Sequence, residues 1–127
     1  MASTILDASA ILAVLNNEAG AELVLPALDS AMVSAVNYAE VTSKLINGGT
    51  DRHGAREVIL SLGVRVADFN IDLADRTGEL RPLTRHRGLS LGDRACLALA
   101  EQENAPVLTS DASWRDVIPT VEIRLIR

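Results

Sequence analysis

Lysine is almost absent. Lys44 is the only one, so arginine supplies the rest of the 12 basic residues. Against them stand 17 acids, for a formal charge of -5, which excludes a simple basic nucleic-acid coat protein. Cysteine occurs once, as Cys96, so neither an intramolecular disulfide nor a thiolate zinc site can be built. Its setting in the run Ala95-Cys96-Leu97-Ala98-Leu99-Ala100 marks it as a small buried hydrophobe. Tyr38, Phe69 and Trp114 are the only aromatics in a chain that is 48% hydrophobic, so the core must be aliphatic. That apolar content also excludes a disordered acidic tail. No run approaches the ~20 apolar residues of a membrane span. The apolar stretch from Ile5 to Leu15 has no basic residue before it and is broken by Asp7, unlike a signal peptide. A soluble cytoplasmic protein with no membrane partner is expected, folded as one domain over its 127 residues.

Short apolar runs alternate with segments of helical period. Strands are expected at Thr4-Ile5-Leu6, Ala31-Met32-Val33-Ser34, Val64-Arg65-Val66, Pro106-Val107-Leu108-Thr109 and Val121 to Ile126. Helices are expected over Ala8 to Leu15, Ala19 to Leu28, Tyr38 to Ile46 and Ala55 to Leu62. Two more run from Ile71 to about Arg81, extending past Pro82 towards Arg87, and from Ser90 through Glu103. This alternation predicts an α/β fold with helices on both faces of a mostly parallel sheet. Glu122, Arg124 and Arg127 suit a charged edge strand last in the chain.

Ligands of open α/β sheets bind beyond the carboxyl ends of the strands. Asp7 follows the first strand and Asp111 follows Val107-Leu108-Thr109. Glu40 and Asp93 are placed in the first turns of helices, Glu40 behind a capping Asn37 and Asp93 in a capping box opened by Ser90. Each acid taken alone is explained as a cap. Together, four carboxylates on one rim repel one another unless a cation neutralises them. Mg²⁺ takes oxygen ligands and bridges to phosphate, which suggests metal-assisted phosphodiester hydrolysis.

The segments Ile5-Leu6-Asp7-Ala8-Ser9-Ala10, Asn37-Tyr38-Ala39-Glu40-Val41, Leu89-Ser90-Leu91-Gly92-Asp93-Arg94 and Val107-Leu108-Thr109-Ser110-Asp111, with Trp114 beyond, resemble the PIN domain. Among PIN domains the resemblance is to VapC-type toxins of bacterial toxin-antitoxin pairs. It spans essentially the whole chain, in order and spacing. It implies a three-layer α/β/α PIN-like fold and an endoribonuclease dependent on Mg²⁺ or Mn²⁺. Asp7, Glu40, Asp93 and Asp111 would form the acidic quartet holding the metal or the attacking water, leaving a 5′-phosphate and a 3′-hydroxyl. The implied partners are an RNA substrate and a small VapB-like antitoxin, with a homodimer or a higher toxin-antitoxin assembly.

Other residues carry two readings each. Ser9 and Thr109 either orient the quartet or satisfy caps and strand ends. Asp116 either joins the cluster or is a solvated helix residue, and Arg94 either binds phosphate or forms a structural ion pair. The group Arg76, Arg81, Arg85, His86 and Arg87, and the pair Arg52 and Arg56, either hold RNA phosphates or form solvated faces. Neither His53 nor His86 has metal-ligand spacing. Phosphatase, receiver and P-loop chemistries fail for want of a second Asp at Ser9, of a lysine at a strand end and of a Gly-Lys-Ser/Thr segment. The remaining alternative is a non-catalytic interaction module with capping acids. The apolar residues Ile11, Leu12, Val14, Leu15, Leu23, Val24 and Leu28 of the first two helices predict a partner-binding surface in either case.

Overall fold

The computed structural model describes residues 3–127. Among the described residues, strands β1 (Thr4–Leu6), β2 (Ala31–Ser34), β3 (Arg65–Ala67), β4 (Val107–Thr109) and β5 (Ile123–Leu125) form one sheet in the order β3-β2-β1-β4-β5. Every pairing is parallel, and Ile5 of β1 pairs with Met32 on one side and Val107 on the other. The expected mostly parallel sheet is therefore parallel throughout, with β5 as an edge.

Helices α1 (Ala8–Leu15), α2 (Ala21–Val24), α3 (Ala35–Asn47), α4 (Arg52–Leu60), α5 (Ile71–Thr84) and α6 (Leu91–Glu103) cover both faces. Strand alternation divides the aliphatic residues into two cores. Ile5 and Val107 pack with Leu73 and Leu80 of α5, Leu97 and Leu99 of α6, and Trp114. Leu6, Val33 and Leu108 face the other way, against Ile11 of α1, Val41 of α3 and Ile59 of α4. The result is the expected α/β/α sandwich. Cys96 is buried in the first core, as its apolar setting predicts.

Local chemistry explains where the helices start and stop. Asp7 caps α1 by accepting from the Ala10 N–H, and Ser90 caps α6 in a complete capping box with Asp93. The second helix is shorter than expected: beyond Val24 the chain tightens into a 3₁₀ turn over Leu25–Ser30, with Pro26 in its first turn. Proline lacks the N–H that an α turn would use there. At Gly20, before α2, φ is +98° and an added Cβ would stand 2.5 Å from the Ile126 carbonyl oxygen. Glycine alone lets this turn close against the last strand. The third helix starts earlier than expected. Ser34, the last residue of β2, caps it by accepting from the Val36 N–H. Asn37 is thus no cap, and Glu40 lies in the second turn instead of the first. Helix α5 continues through Pro82, which lies on its exposed side.

Much of the expected surplus of apolar surface is core. Ile11, Val24 and Leu28 are buried, and Leu12, Val14 and Leu15 pack partly against the second core. What stays exposed is Leu23, at 53%, with its neighbour Leu25, at 54%. Among the described residues no helix is long and apolar enough to cross a membrane.

The chain runs from β1 outward to β2 and β3, then returns to the other side of β1 for β4 and β5. The switch point therefore lies between β1 and β4, and the crevice beyond their carboxyl ends is the expected ligand site.

Candidate active site

A cavity of about 480 Å³ opens at that crevice, and Asp7, Glu40, Asp93 and Asp111 all line it. Four chain segments far apart in sequence bring their acids to one place.

Asp7 is 6% exposed and is held from three directions. The Ser9 hydroxyl (2.7 Å) and the Ala10 N–H (2.9 Å) donate to Oδ1, and the Thr109 hydroxyl (2.6 Å) donates to Oδ2. Both hydroxyls accept in turn from the loop after β4: Ser110 N–H donates to Ser9 Oγ, and Asp111 N–H to Thr109 Oγ1. Two short relays thus tie the Asp111 loop to the Asp7 carboxylate. Both readings of Ser9 and Thr109 describe these contacts, since each hydroxyl orients Asp7 and also satisfies a backbone N–H after β4. Burial pushes the Asp7 carboxyl up from 3.8 to about 6; its three hydrogen bonds pull it down, and the nearby Asp93 charge raises it further.

Glu40 reaches the cavity from α3. Asn37, one turn earlier, donates from Nδ2 both to Glu40 Oε1 (2.7 Å) and to the Gly92 carbonyl (3.1 Å) at the start of α6. The Glu40 carboxylate lies directly over Gly92, where an added Cβ would stand 2.5 Å from Oε1 and 2.7 Å from Cδ. The next residue, Asp93, accepts the Ser90 N–H on Oδ2 at 2.9 Å. Asp111 caps a 3₁₀ turn over Ala112–Trp114 by accepting from the Ser113 N–H on Oδ1 at 2.9 Å. Asp7, Asp93 and Asp111 therefore do cap, as the simplest reading of each predicted. Glu40 does not, and its position is set by packing between two helices.

A PIN-domain profile matches residues 4–118. The chain belongs to the PIN-domain family. No curated protein matches it by sequence. Among solved structures, this PIN domain is similar to a toxin-antitoxin complex from Klebsiella pneumoniae, with a TM-score of 0.79 and 19% identity over 98% of each chain. It is also similar to DNA-bound VapBC from Salmonella typhimurium (TM-score 0.71, 17% identity, 100% of each chain). A third likeness is to the sarcin-ricin-loop-cleaving toxin VapC20 of Mycobacterium tuberculosis (TM-score 0.71, 22% identity, 91% of this chain and 92% of that one). At these identities the likeness is one of fold.

The donor set of this PIN domain fits a hard divalent cation. All four acids offer carboxylate oxygen, and the Asp93 charge adds to the burial that disfavours ionisation of Asp7. Among the described residues no group of three or more His, Cys, Asp or Glu side chains stands close enough to hold a metal ion by direct contacts alone. An open carboxylate rim suits an ion such as Mg²⁺, which keeps several waters. Cys96 lies beneath the rim. Burial, then the charges of Asp7, Asp93 and Glu40, push its thiol well above its ordinary value, so it takes no part as a thiolate.

Other predicted residues fall elsewhere. Arg94 adjoins Asp93 in sequence but is buried on another side of α6, donating to the Thr77 carbonyl of α5 at 2.9 Å. It does not line the cavity, and it makes no ion pair among the described residues. Asp116 is exposed, in a turn with φ +53°, and is absent from the cavity lining. Arg76 is paired with Glu101 and Glu79, and Arg87 donates to the carbonyls of Ser113 and Arg115. Both are structural.

Sequence reasoning missed several cavity residues, among them Asn16, Glu18, Lys44, Arg127 and Asn37. Lys44, the single lysine, lines the cavity one turn beyond Glu40. Arg127 lines it from beyond β5, anchored by Glu18 Oε1 (3.2 Å) and the Ala19 carbonyl (2.9 Å). Asn37 was read as a cap. Its three-residue spacing from Glu40 was the available signal, since such residues share a helix face.

Proposed function

We propose that the protein is a divalent-metal-dependent endoribonuclease and the toxin of a toxin-antitoxin pair. The observation that carries this reading is the placement of Glu40. Capping explains the other three acids without function, but Glu40 caps nothing and is held over Gly92, beside Asp93, by a dedicated amide. That favours a catalytic centre over a non-catalytic interaction module.

In this reading Asp7, Glu40 and Asp93 hold Mg²⁺ or Mn²⁺, directly or through water, and Asp111 completes the group. The cation supplies charge neutralisation and Lewis acidity for phosphodiester hydrolysis. The residues of the chain supply the geometry. Ser9, Thr109 and Ala10 fix the Asp7 oxygens, and Asn37 fixes Glu40. Asp93 and Asp111 line the cavity, and each has one oxygen engaged by a backbone N–H and one with no hydrogen bond among the described residues. The Asp111 oxygen is suited to accept a proton of the attacking water and so to orient it. Attack in line at phosphorus breaks the P–O3′ bond and leaves a 5′-phosphate and a 3′-hydroxyl. Lys44 and Arg127 are the cationic side chains on the cavity wall, suited to RNA phosphate.

The PIN family and the toxin-antitoxin neighbours support the same class of activity and a small antitoxin as partner. The exposed Leu23 of α2 and Leu25 of the 3₁₀ turn that follows it are apolar positions open to such a partner. Incubating the purified chain with cellular RNA tests the activity. Cleavage with Mg²⁺ or Mn²⁺, abolished by EDTA and by Asp93→Asn, is expected. Expression without a partner is expected to arrest growth, and Asp7→Asn to relieve the arrest. Harmless expression of an intact, inactive protein would favour the interaction module.

A further inference from the structure

Asn37 is 1% exposed, in the first turn of α3, and it uses its hydrogen-bonding capacity unevenly. Both Nδ2 protons are spent, on Glu40 Oε1 at 2.7 Å and on the Gly92 carbonyl at 3.1 Å. Its Oδ1 is buried with no partner among the described residues. A buried amide placed for stability alone would satisfy its acceptor as well, because an orphaned oxygen carries its full desolvation cost. The imbalance identifies what the amide is aimed at, a carboxylate and the backbone beneath it. Gly92 completes the arrangement by leaving room for that carboxylate where any side chain would intrude. Asn37 therefore spans α3 and α6 and sets the distance between the Glu40 carboxylate and the helix that carries Asp93.

We propose that Asn37 is a positioning residue, acting through Glu40 to hold it in register with Asp93 for cation binding. This rests on the metal-dependent reading above. The role is distinct from a brace between helices. A brace would affect cation binding whether or not Glu40 were present. A residue that acts through Glu40 loses its influence once that carboxylate is gone.

The test is a double-mutant cycle read by calorimetric titration of Mn²⁺ into the full chain without RNA, accompanied by thermal melts. Asn37→Ala is expected to weaken Mn²⁺ binding about tenfold or more, the usual effect of losing a partner that orients a metal ligand. Asn37→Asp keeps the shape, removes the donors and places a like charge beside Glu40, so it should weaken binding at least as much. In an Glu40→Ala background, Asn37→Ala should change the affinity by less than about twofold. Equal weakening in both backgrounds, or full affinity in folded Asn37→Ala and Asn37→Asp, would overturn the proposal. If the wild-type chain binds Mn²⁺ and cleaves RNA while the Asn37 variants bind normally, only the positioning role fails. If the wild type binds no Mn²⁺, the metal-dependent reading fails and takes this role with it.

Discussion

The Glu40 carboxylate rests on Gly92, so close that a methyl group at that position would stand 2.5 Å from Oε1. This contact joins α3 to the first turn of α6 and puts two acids 53 residues apart in sequence on one cavity wall. It also makes a backbone position answerable for a side chain's placement.

Gly92→Ala should therefore separate stability from activity. Alanine is favoured over glycine within a helix by about 1 kcal/mol, which offsets part of the steric cost. The fold should survive with a small change in melting temperature. RNA cleavage should fall about ten- to a hundredfold as Glu40 is pushed aside. Thermal melts and cleavage rates on one preparation check both.

Asp7 makes the cation-free protein pH-sensitive. Its carboxyl stands at about 6 in the fold against 3.8, burial being the largest cause. A raised value means the fold prefers the neutral form. The stabilisation is complete below 3.8 and is lost as pH rises through 6. The loss at neutral pH is of the order of 3 kcal/mol. Urea melts without divalent cations should show wild-type stability falling between pH 4 and pH 6.5, roughly the window of that shift. Asp7→Asn should stay flat across that window and be the more stable protein at pH 7.5, while Mg²⁺ should stabilise only the wild type.

The Thr109 relay should tune that response. Its hydroxyl lowers the Asp7 carboxyl, so Thr109→Val should raise it further. Protons compete with the cation for Asp7, and the pH giving half-maximal cleavage should move upward relative to wild type. An unchanged profile in a folded variant would remove Thr109 from the account.

Arg76 and Glu101 provide a control remote from the cavity. Arg76 Nε and Nη2 donate to the two Glu101 oxygens at 2.7 and 2.9 Å, and the Thr120 hydroxyl adds a third bond. The Arg76 hydrogen bond is the main cause holding Glu101 below its ordinary range. Glu101 then contributes stability above that range, lost as pH falls through its depressed value. Glu101→Gln should cost about 1 kcal/mol, given the partial exposure of the pair. Cleavage should be unchanged, because Glu101 lies two turns along α6 from Asp93.

Strand and helix order were legible because each element carried its own local signal. β1 and α1 meet at a capping Asp7, and α6 opens on the capping box of Ser90 and Asp93. The misreadings arose where a local signal competed with a tertiary one. Asn37 has the chemistry of a cap, but β2 runs into α3 without a loop, so Ser34 caps first and Asn37 is left for Glu40. Arg94 looked electrostatic because it adjoins Asp93. Neighbours on a helix point about 100° apart, and this one turns into the contact between α5 and α6. The roles of Lys44 and Arg127 depend on which helix and strand ends meet, which no short stretch of sequence encodes. Of the four acids, Glu40 had the weakest local signal, and its placement is the most informative.

Titration of Mn²⁺ into the wild-type chain and into Asp7→Asn, Glu40→Gln, Asp93→Asn and Asp111→Asn, without RNA, tests most directly whether these carboxylates act as one centre. One site in the wild type, weakened in every variant and most strongly in Asp7→Asn and Asp93→Asn, is the predicted result. Equal affinity in the wild type and in the folded Asp7→Asn and Asp93→Asn variants would contradict it.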